Sequence, residues 1–295
     1  IAVANMMKER HPDAKILFIG AVGKMEEKLV PQAGFELKSL PASGLSRKLN
    51  FGGIKQNVHA VKCVFNAVSE CKKIFKEFKP DAVIGLSTGR TTGDIHRRFA
   101  ALVKEHGIDV SHLTIFGLDE VTGVSRDYFG SCIWMLEHEC VNDLGIPKEN
   151  FLMLPLTSDN WERDCDAFRA ELARRGGITL LELGLGENGH IGFNQPGTPF
   201  TQRAFHGTMH DYLEARIRRE TNTPDDIPLG GVTLGIADVM DAKAILLCAN
   251  GAHKKQPLTD ALYGPRTTDL PATVLQTHPH LQIICDTDAA PVIPV

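Results

Sequence analysis

Residues 81–92 read Asp81-Ala82-Val83-Ile84-Gly85-Leu86-Ser87-Thr88-Gly89-Arg90-Thr91-Thr92. The apolar run after Pro80 predicts a strand over 81–86, and Pro80 itself stops the helix that precedes it. The turn Ser87-Thr88-Gly89-Arg90-Thr91 then leads into a helical stretch over 92–106. Such a turn presents backbone N–H groups and hydroxyls at a helix N-terminus, an arrangement that favours an anion such as phosphate. Arg90 adds a charged donor. The segment is not a Walker P-loop, because the Gly-Lys-Ser/Thr ending is absent. Taken alone, the turn fits an ordinary strand-to-helix connection equally well.

The same alternation extends in both directions. Upstream, helices are expected over 1–10 and 54–78, with strands over 15–20 and 35–40. The long helix carries Val58, Val61, Val64, Phe65, Val68, Ile74 and Phe78 near one face. Downstream, strands are expected over 113–118, 151–154, 178–185, 231–234, 244–248 and 281–285. Helices are expected over 129–141, 160–175 and 252–262. Strands separated by helices imply an α/β fold with a mostly parallel, helix-covered sheet, in which ligands bind beyond the carboxyl ends of the strands.

Composition narrows the class. The chain has 295 residues, 43% hydrophobic and 23% charged, which is ordinary globular composition, and its length suggests about two domains. The net charge of −4 argues against a general nucleic-acid binder. No apolar run approaches the ~20 residues of a membrane helix. The chain opens on Ile1 rather than Met, so its start is processed, trimmed or missing, and no secretory leader is evident. The charge is unevenly spread: residues 1–80 hold 14 Lys and Arg against 7 Asp and Glu, and the remainder holds 18 against 29. That split places a domain boundary near residue 80. The seven cysteines show no zinc-ligand spacing and sit mostly in apolar runs, as expected of reduced, buried thiols in a cytoplasmic protein.

Two further clusters lie at expected strand ends. In Phe116-Gly117-Leu118-Asp119-Glu120 two adjacent carboxylates offer a general base, and strand alternation allows only one of them into a site. A solvated acidic loop would read the same way. In Gly184-Leu185-Gly186-Glu187-Asn188-Gly189-His190-Ile191-Gly192-Phe193-Asn194-Gln195-Pro196-Gly197, His190 sits among glycines and amides, a setting suited to proton transfer near neutral pH. The Gly184-x-Gly186-x-x-Gly189 spacing is a weak dinucleotide signal because no helix follows it. Neither a metal nor a nucleotide cofactor is expected.

These motifs together resemble glucosamine-6-phosphate deaminases. Thr88-Gly89-x-Thr91, Leu118-Asp119-Glu120 and Gly186-x-Asn188-Gly189-His190-Ile191-Gly192-Phe193-Asn194 occur in that family's order and context. Gly251-Ala252-His253-Lys254 and Leu275-Gln276-x-His278-Pro279 fit it too. The resemblance covers roughly 81–295. It implies a Rossmann-like sheet with helices on both faces, and conversion of an amino-sugar phosphate to a ketose phosphate plus ammonia. It also implies roles: Asp119 as the base at C2 and C1, and His190 as the ring-opening acid/base. Thr88, Gly89, Arg90 and Thr91 would form the phosphate loop, with Lys254 and Arg218 as phosphate ligands and Arg219 as the register alternative to Arg218. Asn188 and Gln195 stand where the family often places carboxylates supporting the histidine, so ring opening is expected to be the weakened step. A 6-phosphogluconolactonase-like hydrolase ranks second. A non-catalytic sugar-phosphate sensor ranks third, and retention of both Asp119 and His190 argues against it.

The first 80 residues differ. Lys15-Ile16-Leu17-Phe18-Ile19-Gly20, Ala33-Gly34-Phe35-Glu36-Leu37 and Ser43-Gly44-Leu45-x-Arg47-Lys48-Leu49 resemble the acceptor domain of the peptidoglycan N-acetylglucosaminyltransferase. One glycine-rich loop of that family would precede Ile1 and a second would follow Gly85, and its nucleotide-sugar domain is absent, so transferase activity is not expected. The chain is thus expected to be a hybrid. A partial glycosyltransferase-like α/β segment would span 1–80 and a deaminase-like domain 81–295, with the junction within 79–86. Its expected partner is a small sugar phosphate, with no nucleic acid and no stable membrane insertion; a homo-oligomer is left open.

Overall fold

The computed structural model describes residues 1–10, 12–41, 81–209 and 223–293, together with parts of 60–79 and of 214–219. The chain divides into two compact units, Ile1–Pro80 and Asp81–Val295.

In the first unit, α1 (Ala2–Arg10), β1 (Leu17–Ala21), α2 (Glu26–Gln32) and β2 (Glu36–Leu40) follow the expected alternation. The two strands pair in parallel, Leu17 opposite Glu36 and Ala21 opposite Leu40. The crossover through α2 is what lets consecutive strands run in the same direction. Phe18 and Phe35 pack with ring centroids 5.5 Å apart. The described positions from 60 to 78 are helical, as expected for part of the long helix. Ala60, Cys63 and Ile74 are buried there, at helical spacing, whereas Val64 is 61% exposed and so lies off the buried face. Val58, Val61, Phe65, Val68 and the 43–49 motif lie outside the described residues.

The second unit is built on a six-stranded, all-parallel sheet. Its strands are β3 (Val83–Leu86), β4 (Thr114–Gly117), β6 (Phe151–Leu152), β7 (Leu180–Gly184), β10 (Ile245–Ala249) and β11 (Leu281–Cys285), in the order β11-β10-β7-β3-β4-β6. From β3 the chain winds through β4 to β6, then returns to β7 on the other side of β3 and continues outward. The order therefore reverses between β3 and β7, and such a switch point opens a crevice beyond the strands' carboxyl ends. Phe116, Leu181, Leu183, Ile245 and Leu247 are fully buried on these strands. A parallel sheet covered by helices on both faces requires this.

Three expectations are corrected. The strand expected over 231–234 is β9 (Gly230–Thr233), and it lies in a separate antiparallel sheet with β5 (Asp119–Thr122) and β8 (Phe205–Gly207). Leu118 is the only residue between β4 and β5, so the chain leaves the parallel sheet there and pairs Asp119 with Thr233. The helix after the first turn begins at Arg90 rather than Thr92, giving α3 (Arg90–Glu105) with Gly89 as its N-cap. The helix expected over 129–141 is α4 (Cys132–Leu136), capped by Ser131 and continued by a π-helical turn, Glu137–Val141. The wider π turn carries Glu139 into the interior. Beyond these, α5 (Trp161–Arg174), α6 (Ile236–Met240) and α7 (Lys255–Tyr263) complete the helices used below.

Candidate active site

The 88–91 turn sits at the carboxyl end of β3 and opens α3. The backbone N–H groups of the first helical turn have no intrahelical partner and carry partial positive charge. The turn is tied to its surroundings by side chains. Thr91 Oγ1 donates to Asn250 Oδ1 (2.5 Å), joining it to the loop after β10. Thr88 Oγ1 donates to Cys132 Sγ (3.2 Å) at the start of α4. Lys254 ends the 3₁₀ turn Ala252–Lys254 after β10. Its ammonium is held below the usual lysine range chiefly by burial, with Arg90 adding to the shift and Glu187 opposing it. Two cations, Arg90 and Lys254, thus converge where the helix N-terminus already favours an anion.

Asp119 and Glu120 separate as strand alternation requires. Asp119 is buried and receives the Cys132 thiol at 3.6 Å. Burial pushes its carboxyl up to about 7, against the lowering effect of that thiol bond. Glu120 points the other way, is fully buried, and accepts the N–H groups of Val121 (2.7 Å), Cys132 (2.7 Å) and Ile133 (2.8 Å). It caps the N-terminus of α4 and holds that helix against β5, while burial pushes its carboxyl up to about 7 against the lowering effect of those three bonds. A chain of two hydrogen bonds, Thr88 to Cys132 to Asp119, therefore links the anion-binding turn to a carboxylate poised near neutrality.

His190 lies in the loop after β7. Its Nδ1 meets Asn188 Oδ1 at 2.5 Å, and Asn188 Nδ2 donates to Gln195 Oε1 at 3.2 Å. Because the Asn188 oxygen can only accept, Nδ1 carries the proton and Nε2 is left as the free acceptor. Burial first, and Lys254 second, hold the imidazole below its ordinary pKa, with Glu187 opposing, so the ring is neutral at pH 7. Gly186 makes this possible: a Cβ there would stand 2.2 Å from the imidazole Nδ1. Gln195 reaches the ring only through Asn188, a relay that sequence reasoning had reduced to direct support.

Arg218, an expected phosphate ligand, is engaged by its own segment of the chain. Its guanidinium donates to Glu214 Oε1 (2.9 Å from Nε, 2.6 Å from Nη2) and to the carbonyls of Pro224 (2.5 Å) and Ile227 (3.0 Å). Sequence reasoning in turn missed Cys132, Asn250 and Asn194. Asn194 is fully buried, and its Nδ2 ties the Ile191 and Leu234 carbonyls together at 2.9 Å each, anchoring the histidine loop. Only the Phe193-Asn194 motif gave a signal for any of the three.

Comparison with known proteins places the chain. A family model described as glucosamine-6-phosphate isomerases/6-phosphogluconolactonase matches residues 57–284, and one for the glycosyltransferase family 28 N-terminal domain matches residues 1–95. Glucosamine-6-phosphate deaminase of Thermoanaerobacter pseudethanolicus is 35% identical over 76% of this chain and 88% of its own length. Glucosamine-6-phosphate deaminase 1 of Giardia intestinalis is 31% identical over 80% and 90%. Among solved structures, a monomeric glucosamine-6-phosphate deaminase superposes with a TM-score of 0.66 at 28% identity, covering 75% of this chain and 92% of its own. The 6-phosphogluconolactonase of Trypanosoma brucei, 20% identical with a TM-score of 0.55 over 84% and 97%, shares the fold. Over most of its length, from the end of the first unit through the last parallel strand, the chain belongs to the glucosamine-6-phosphate isomerase/6-phosphogluconolactonase family.

Proposed function

We propose that the chain is a glucosamine-6-phosphate deaminase, converting glucosamine 6-phosphate and water to fructose 6-phosphate and ammonia. The observation that carries this reading is the convergence at one sheet edge of three parts. These are a helix N-terminus flanked by Arg90 and Lys254, a neutral imidazole with a free Nε2, and a buried carboxylate near neutrality. The phosphate docks on the 88–91 turn and Lys254. His190 Nε2 takes the proton from the anomeric hydroxyl and returns it to the ring oxygen as the C1–O5 bond breaks, leaving the open aldehyde. Asp119, ionised, removes the C2 proton as O1 takes up a proton, giving the enolamine. It then delivers the proton it took to C1 as the amino group gives one up, so that the C1 aldehyde becomes a hydroxymethyl group and C2 an imine. Water adds at C2 and ammonia leaves. Each proton transfer needs only an acid/base group held within hydrogen-bond reach. Arg218 joins the phosphate in this reading once its bonds to Glu214 and the two carbonyls are exchanged for the ligand.

The same reading takes residues 1–80 as a glycosyltransferase-like segment ahead of a deaminase-like domain over 81–295. It is supported by the two overlapping family matches and by the division of the chain at Pro80. The experiment is an assay of ammonia and ketose phosphate formed from glucosamine 6-phosphate, with glucosamine as control. Turnover of the phosphorylated sugar alone is expected. Hydrolysis of 6-phosphogluconolactone without ammonia release would replace this reading by the lactonase. Stabilisation by sugar phosphates with neither turnover would replace it by the sensor.

A further inference from the structure

Beneath the 88–91 turn lies a charged cluster that the mechanism above does not use. Glu182 sits in the middle of β7 and is 4% exposed, on a strand otherwise made of leucines and a glycine. Its Oε2 accepts from the Ser87 N–H (3.3 Å), the Ser87 hydroxyl (3.4 Å) and His96 Nε2 (3.4 Å). Among the described residues its Oε1 has no nitrogen or oxygen donor, and the Cys248 thiol of β10 faces the same carboxylate. His96, on α3 and 3% exposed, places its other nitrogen 2.9 Å from Glu139 Oε2 in the π turn. That approach is built into the backbone: a Cβ at Gly93 would stand 2.4 Å from Glu139 Oε1. Arg97 reaches the same Glu139 from outside at 3.5 Å.

Carboxylate oxygens only accept hydrogen bonds, so a ring with both nitrogens on carboxylates must carry both protons. Burying a carboxylate with one oxygen unsatisfied is costly unless a cation compensates it. Ser87 ties this cluster to the site. It is the last residue before the turn, it rests on Glu182, and its hydroxyl accepts the Gly184 N–H at 2.8 Å, where β7 enters the His190 loop. The cluster thus sits under the joint between the two loops that bear the phosphate turn and the imidazole.

We propose that His96 is a positioning residue for the phosphate turn: as an imidazolium between Glu139 and Glu182 it balances the Glu182 carboxylate beneath Ser87, and Glu182 holds the turn in register with the His190 loop. This rests on the deaminase reading, which assigns that turn to the substrate phosphate. Without the imidazolium, a bare carboxylate lies under the site of a dianion. The two carboxylates hold the imidazole up at about 9 against the opposing effect of burial, so the compensation is present at neutral pH and is lost above pH 9. The other groups facing the cluster are Arg97 and the thiols of Cys140 and Cys248, both pushed up to about 12 and silent below pH 10.

The test uses the full chain as wild type, His96→Gln, Glu182→Gln and the double variant. It measures the Kd for inorganic phosphate and the KM and kcat for glucosamine 6-phosphate. In His96→Gln, KM and phosphate Kd are expected to rise about tenfold, with kcat changing less than about threefold. The double variant should recover part of that loss, since it leaves no uncompensated carboxylate under the turn. Phosphate Kd should rise between pH 8 and 10 in a Lys254→Arg background, where the lysine no longer titrates, and that rise should vanish when His96→Gln is added. A folded His96→Gln with unchanged KM, or a double variant worse than either single, overturns the proposal. If the variants do not fold, a flat phosphate Kd from pH 8 to 10 in Lys254→Arg overturns it. Wild type binding neither phosphate nor sugar phosphate would overturn the deaminase reading as well, whereas wild type binding both and His96→Gln binding equally would overturn this inference alone.

Discussion

Both units contain parallel strands drawn from apolar runs, yet they bury them differently. Not one residue of β1 or β2 is buried, and Ile19 in β1 is 41% exposed. In the second unit β4 is buried throughout, and β7 and β10 are buried at their centres. A parallel strand is stable when helices cover both of its faces. The first unit therefore has the pattern of such a sheet without its cover among the described residues, and it carries the positive half of the chain's charge. The second has the cover over its central strands, though not over its edge strand β11, and on that frame it holds a buried carboxylate and a buried imidazolium. An apolar run in sequence states that a strand needs cover; the number of layers available decides whether it gets it.

The sharpest way to test this division is Asp119→Asn. Loss of the base is expected to lower kcat by about 10²–10⁴-fold. The same change should stabilise the fold, with a pH dependence whose sign is fixed by burial. The folded carboxyl titrates at about 7 against an ordinary value near 3.8, so the folded state holds the extra proton between those values. Stability from this group is full below pH 3.8 and lost as pH rises through 7. The Tm gain of Asp119→Asn should thus be largest above pH 7 and vanish at pH 4; a Tm loss at pH 8 would show that the carboxylate is not a strained, functional group. In wild type, kcat/KM should rise with pH through about 7 as Asp119 ionises.

The next effect is one of packing. Leu183 is fully buried in β7, and Leu183→Ala is expected to cost about 2–5 kcal/mol in denaturant unfolding. Ile19→Ala in β1 should change stability by no more than about 0.5 kcal/mol. Similar costs at the two positions would mean that β1 is covered after all, and the contrast between the units would fail. Charge gives a third comparison. Lys254→Ala should raise KM for the sugar phosphate by one to two decades, from the roughly 1.5–3 kcal/mol of a charge-assisted contact. Lys24→Ala, also at a lysine but in the first unit, should leave KM unchanged. Smallest is Gln195→Glu. A carboxylate placed on Asn188 raises the His190 pKa from its depressed value, so the acid limb of kcat/KM should move to higher pH, with maximal kcat changing less than about threefold. A tenfold gain in kcat on the cyclic sugar would instead show that the amide impairs ring opening.

Much of the second unit was legible in the order of its residues. The strand-turn-helix of 81–105, the end of β7 and the whole of β11 follow from apolar runs bounded by glycine, proline and polar turns. Those are local signals, set within a few residues. The separation of Asp119 from Glu120 follows from alternation along a strand. The antiparallel excursion of β5 and β9 was not legible, because Asp119 meets Thr233 across more than a hundred residues and no local pattern encodes which sheet a strand joins. The π turn escaped for a related reason: Glu137–Val141 reads as ordinary helix, and the buried partner that makes the wider turn worthwhile, His96, lies on another element.

The sequence by itself determined the chemistry on offer: an anion-binding turn, a carboxylate at a strand end, a histidine among amides and a lysine after a later strand. Tertiary structure alone decided how these groups behave. Burial raises Asp119 and lowers His190, while the contact of Cys132 with both Thr88 and Asp119 couples phosphate turn to base. Arg218 is turned toward Glu214, and His96 is charged because two carboxylates from separate elements close on it. Ionisation depends on solvent and on neighbours in space, and neither is fixed by proximity along the chain.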